Sequence, residues 1–106
     1  MNLNEYQNSA AKFRVQTSTP LERLFGLGEE VGEVFGLLKR YERGDYAANI
    51  GEFGAKLHKE LGDVLWYLSQ VALDNHWELE DIAKTNLDKL ESRSIRGVIL
   101  GAGDNR

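Results

Sequence analysis

Two short acidic runs stand out for their spacing, Glu29-Glu30-Val31-Gly32-Glu33 and Glu60-Leu61-Gly62-Asp63. Glu30/Glu33 and Glu60/Asp63 are each three positions apart, which on a helix sets the two acids about 60° from each other as one small patch. Glu30 borders the apolar arc of Val31, Val34, Phe35 and Leu38, and Glu60 borders that of Leu57, Leu61, Val64, Leu68 and Val71. On two antiparallel helices, four carboxylates could then converge. Anions gathered in a partly desolvated place repel and raise one another's pKa, so such a site calls for cations. An all-oxygen donor set suits Mg²⁺ or Mn²⁺ rather than zinc or copper. A di-iron bundle would need Glu-x-x-His pairs on two helices, and neither acidic pair here has a histidine in that place. The plain alternative is that acids at helical spacing form solvated faces.

The elements that must position these acids are helices. Pro20 after Ser18-Thr19 suits a hydroxyl N-cap with proline in the first turn. From there Leu24, Phe25, Leu27, Val31, Val34, Phe35, Leu38 and Tyr41 recur at three- and four-residue spacing until Gly44-Asp45, predicting a helix over 20–43. Phe53, Leu57, Leu61, Val64, Leu65, Leu68 and Val71 predict a second over 52–74, and Leu79, Ile82, Ala83, Leu87 and Leu90 a third over 78–93. Tyr6, Ala10 and Phe13 predict a further helix within Leu3 to Val15. No strand pattern competes. Gly28, Gly32 and Gly36 form a stripe whose expected use is close backbone approach, inside the bundle or at a subunit interface. Residues 97–106, with Gly97, Gly101 and Gly103, read as turns.

A chain of 106 residues, 42% hydrophobic and 28% charged, makes one domain able to bury a core. The expected fold is all-α, an antiparallel bundle of about four helices with a glycine-rich C-terminal tail, one domain over 1–106 completed by oligomerisation into a homodimer or homotetramer. With 13 basic against 17 acidic residues the net charge is -4, which argues against nucleic-acid polymers as partners. Having no cysteine, the chain has no disulfide, thiolate zinc site or cysteine nucleophile. No apolar run approaches a membrane span, and the polar start Met1-Asn2-Leu3-Asn4-Glu5 lacks the features of a signal peptide, so a cytoplasmic protein without a membrane partner is expected.

Glu30-Val31-Gly32-Glu33, a spacer, and Glu60-Leu61-Gly62-Asp63 continued by Val64-Leu65-Trp66-Tyr67-Leu68 resemble the Glu-x-x-Glu and Glu-x-x-Asp signature of the MazG-like all-α nucleoside triphosphate pyrophosphohydrolases. Asn86, Lys89 and Arg93 are similar to the Asn-x-x-Lys-x-x-x-Arg pattern of the helix that follows in that family, and Gly101-Ala102-Gly103-Asp104-Asn105-Arg106 resembles the tail of small phage-type members. The resemblance implies Mg²⁺-dependent hydrolysis of a nucleoside or deoxynucleoside triphosphate between the α and β phosphates, in nucleotide-pool control, with Mn²⁺ as a substitute metal. It implies Glu30, Glu33, Glu60 and Asp63 as metal ligands. A carboxylate not fully engaged by metal, Glu30 or Glu29, would take the proton of the attacking water. Lys89 and Arg93, four apart, could neutralise phosphate in one cleft, with Asn86 hydrogen-bonding sugar or phosphate. Tyr67, one turn beyond Asp63 on the acidic side, is the candidate for stacking on a base, while Trp66 reads as core. Two readings compete with the enzyme: a noncatalytic nucleotide-binding module, and a structural helical bundle whose carboxylates face solvent.

Overall fold

A computed structural model describes residues 1–106 as four helices, α1 (Leu3–Ala11), α2 (Pro20–Glu42), α3 (Ile50–Asp74) and α4 (Leu79–Ile95). The three longer helices fall within a few residues of the positions their periodicity predicts. α1 is shorter, ending at Ala11 rather than Val15: the backbone tightens into turns in which Lys12, Phe13 and Arg14 N donate to the Ser9, Ala10 and Ala11 carbonyls, and the Arg14 guanidinium then donates to Gln70 Oε1 at 2.8 Å and to the Gln70 carbonyl at 3.0 Å.

The starts of α1, α2 and α3 are written locally. Asn2 and Glu5 form a reciprocal capping box, Thr19 Oγ1 accepts from Glu22 N at 3.1 Å ahead of Pro20, and Asn49 Oδ1 accepts from Glu52 N at 3.0 Å. α4 has no such cap of its own. Its first amides are met from α1 instead: Leu79 N donates to Gln7 Oε1 at 3.1 Å and Glu80 N to Asn4 Oδ1 at 3.0 Å. Helix 4 is therefore docked by its N-terminus onto α1, since orphan amides there must find acceptors somewhere.

α2 and α3 pack as an antiparallel hairpin. Arg23 near the start of α2 pairs with Asp74 at the end of α3, Gly26 lies under the Tyr67 ring, and Tyr41 stacks on Phe53 with centroids 4.4 Å apart. The turn is closed by Tyr46, buried with its ring 5.7 Å from Phe53. α1 lies along α3, where buried Gln7, Ser69 and Gln70 satisfy one another and the Trp66 indole donates to the Ala10 carbonyl at 3.2 Å. Trp66 is thus a packing residue, as its apolar context suggested. After α3, His76 takes φ 61°, the left-handed conformation that ends a helix.

The glycine stripe does not mediate close approach within the chain. Nothing comes within 4 Å of a Cβ placed at Gly28 or Gly32, and only the Arg40 guanidinium nears Gly36. The close approach is made at Gly26, two residues before Gly28 and so on a different face of α2, where a Cβ would overlap the Tyr67 ring.

The fold leaves much apolar surface open. Leu24, Val31, Phe35 and Leu38 share an arc of α2, and Leu61, Leu65 and Leu68 an arc of α3; all are exposed, Phe35 at 66%. The Cα radius of gyration is 16.9 Å, against about 13 Å for a compact domain of this length. The surface is 7778 Å², against about 6,000 Å² for a folded monomer of this mass.

Candidate active site

The antiparallel hairpin determines which acids meet. With Gly26 opposite Tyr67, one turn along each helix sets Glu30 opposite Asp63, with Glu60 a further turn beyond Asp63. Carboxylate oxygens of Glu30, Glu60 and Asp63 lie within 4.8 Å of one another, Glu30 and Glu60 half-buried and Asp63 exposed. Two residues from α3 and one from α2 thus form one acidic cluster, as the i, i+3 spacing on facing helices anticipates. Glu29 and Glu33 are exposed at its margin and outside that group.

Burial pushes the Glu30 carboxyl above its ordinary pKa, and the charges of Asp63, Glu60, Glu29 and Glu33 push it the same way. All the charges that act on Glu30 are carboxylates. No salt bridge of the chain reaches Glu30, Glu60 or Asp63; the ion pairs form elsewhere, Arg14 and Arg23 with Asp74, Arg43 with Asp45, Lys56 with Glu52, Lys84 with Asp88, and Lys89 and Arg93 with Asp104. A cluster of anions left without a counter-charge by its own chain fits a divalent cation, and its all-oxygen donors suit a hard one.

α1 contributes a residue that sequence reasoning assigned only to packing. Burial, reinforced by the charge of Asp63, raises the pKa of the Tyr6 phenol on α1. Tyr6 sits in the apolar periodicity of α1, and its hydroxyl was the one signal available. Tyr67 caps Gly26 and meets Trp66 edge-on at 4.9 Å. Tyr67, one turn along α3 from Asp63, also lines a cavity of about 370 Å³ with Phe13, Ser18, Arg23 and Trp66 among others; none of the clustered acids lines it. Phe13, exposed on the segment after α1, is a second wall residue that the pattern of α1 had placed on a helix face.

Asn86, Lys89 and Arg93 are not brought to this cluster by the fold of one chain. They lie on α4, whose packing partner is α1 and not the α2–α3 hairpin. Asn86 and Lys89 share a separate cavity of about 420 Å³ with Trp77, Asp81, Ile82 and Thr85. Arg93 is buried beneath the C-terminal tail, its Nη2 donating to the carbonyls of Gly103 at 3.3 Å and Asp104 at 3.0 Å.

Comparison with known proteins fits this arrangement. No solved structure matches the chain. The Gene 37 protein of Mycobacterium phage L5 is 42% identical over 81 residues, covering 76% of this chain and 71% of that protein. Residues 18–97, which contain both acidic pairs and the whole of α4, match the family model described as the MazG nucleotide pyrophosphohydrolase domain. The two helices that assemble the acidic cluster are thus the heart of the matched region, and the chain belongs to the MazG nucleotide pyrophosphohydrolase family.

Proposed function

We propose that this protein hydrolyses a nucleoside or deoxynucleoside triphosphate between the α and β phosphates, releasing the monophosphate and pyrophosphate. The observation that carries the reading is the convergence of Glu30, Glu60 and Asp63 on one edge of the hairpin, where no basic side chain balances them. Glu30, Glu60 and Asp63 would hold Mg²⁺, with Glu33 joining from the next turn and Mn²⁺ able to substitute. When bound, the cation supplies charge neutralisation and Lewis-acid stabilisation for phosphate oxygens that carboxylates alone would repel.

The protein's own groups do the rest. The proton of the attacking water passes to a carboxylate of this edge. Glu30, whose burial and neighbours favour a bound proton, is the first choice, and the adjacent Glu29 the second. The cavity beside Tyr67 receives the nucleoside end, since this aromatic wall residue lies one turn along α3 from Asp63. Asn86, Lys89 and Arg93 take the phosphates.

Assembly completes the site. The apolar side of the hairpin is covered by a second copy of the chain, forming a homodimer or a homotetramer, and association brings α4 cations to the carboxylates. The chain exposes about 1,800 Å² more than a compact monomer of its mass would. That is ample for each side of an obligate interface, which buries about 1,000–2,500 Å² per partner. No helix is long and apolar enough to cross a membrane. The site faces water, and a cytoplasmic enzyme of nucleotide-pool control is the setting we infer.

The test is pyrophosphate release from a panel of canonical and modified NTPs and dNTPs, with Mg²⁺, with Mn²⁺ and with chelator. Metal-dependent pyrophosphate matched by monophosphate, and lost in Asp63→Asn, is the expected result. A folded oligomer that binds the panel without turnover would instead establish the noncatalytic nucleotide-binding module.

A further inference from the structure

The C-terminal tail is tied into a clasp. Gly97, Gly101 and Gly103 all adopt positive φ, turning the chain back toward α4. Arg106 then fastens it: Nε donates to the Val98 carbonyl at 3.0 Å, Nη2 to Ile99 at 2.7 Å and Nη1 to Gly103 at 2.7 Å, while Arg96 Nη2 donates to the Arg106 carbonyl at 2.7 Å. The loop so closed presents one anion, Asp104, to α4.

Asp104 Oδ1 accepts from Lys89 Nζ at 3.1 Å and lies 3.5 Å from Arg93 Nη2. The partners are unequal. The Asp104 side chain is 84% exposed, whereas that of Arg93 is 6% exposed and keeps its Nε buried with no hydrogen-bond partner. A buried guanidinium donor left unpaired is costly, and one carboxylate oxygen shared between two cations does not satisfy it. A phosphate group, with three acceptor oxygens and more charge, matches the two cations better than the tail does. An ion pair with one partner this exposed is also weak enough to be exchanged.

We propose that Asp104 is a built-in competitor for phosphate: the tail rests on Lys89 and Arg93 in the free protein, and an incoming polyphosphate must displace it. The inference rests on the phosphate-binding role given to Lys89 and Arg93 above, and it adds a self-occluding element to that site. Tail release and substrate binding are then one exchange of anions, and nucleotide affinity depends on a segment outside the acidic cluster.

The experiment is calorimetric titration of the full chain with inorganic tripolyphosphate, at fixed ionic strength and without divalent metal, so that turnover plays no part. Asp104→Asn is expected to bind about two- to fivefold more tightly, the range set by a surface ion pair. Asp88→Asn removes the same charge from the exposed side of α4, where it pairs with Lys84 at 2.8 Å, and is expected to leave affinity unchanged. In a Lys89→Gln background, which itself binds more weakly, the advantage of Asp104→Asn should shrink or vanish. Affinity in Asp104→Asn no tighter than in Asp88→Asn, or a gain that survives Lys89→Gln undiminished, would overturn the proposal. Unaltered binding in Lys89→Gln alone would remove its premise and overturn it too. Tripolyphosphate behaviour as expected, with no triphosphate hydrolysis, would uphold the clasp and count against the catalytic reading alone.

Discussion

Glu30 and Asp74 show what a carboxylate does with and without a partner. Glu30 is surrounded by like charges, so removing one of them relieves the metal-free protein. Glu60→Gln is expected to raise the stability of the metal-free protein by up to about 1 kcal/mol, the scale of partly exposed charge interactions, while abolishing pyrophosphate release. Mg²⁺ at ten times its Kd should stabilise the unmodified protein by about 1.4 kcal/mol and the variant far less, read as a shift in Tm. Asp74 is the opposite case. Hydrogen bonding from Arg23, aided by the charges of Arg14 and Arg23, holds its carboxyl below the usual range. Its native pKa lies under its unfolded one, so its contribution is complete above the ordinary Asp value of about 3.9 and is lost as pH falls through the native value. Asp74→Asn, which leaves buried Arg23 without a counter-charge, is expected to cost about 3 kcal/mol at neutral pH. In urea unfolding the gap between variant and parent should narrow below about pH 4.

Among the elements, the hairpin seam is set by one small residue and one large ring. Gly26→Ala drives a methyl into Tyr67 and is expected to cost about 1–3 kcal/mol by overpacking. Because the same seam aligns Glu30 with Asp63, turnover should fall as well. Gly32→Ala meets nothing within 4 Å and should instead gain about 1 kcal/mol from helix propensity. Thermal unfolding of the pair separates the two roles. The helices and the facing acids were legible in the sequence because their determinants are local: Thr19-Pro20, Asn49, the three- and four-residue periods, and acids at i, i+3. The course of α4 was not, because its N-terminus is capped by Asn4 and Gln7, more than seventy residues earlier in the chain. Nor was the role of Gly26, which depends on a ring carried by the other helix, whereas the more regular stripe of Gly28, Gly32 and Gly36 drew attention without making an intrachain contact.

At the scale of the molecule, the hairpin's open apolar side is the feature that most needs a partner. If the proposed assembly forms there, Phe35→Arg places a charge in that side and is expected to give monomers in sedimentation and to lower turnover, since α4 would no longer be held against the carboxylates of a neighbour. The hairpin also constrains how such a protein can vary. Glu30 meets Asp63 because nearly equal lengths of helix run from each to the Tyr41–Phe53 contact, and Tyr46 closes the turn by packing its ring against Phe53. Residues added within the connection between α2 and α3 leave that pairing untouched, at a closure cost of only about 0.6 kcal/mol per doubling of loop length. One residue added between Glu33 and Tyr41 turns every acid before it by about 100° relative to the turn, so drift in length is tolerated at the bend and lethal to the cluster along the arms.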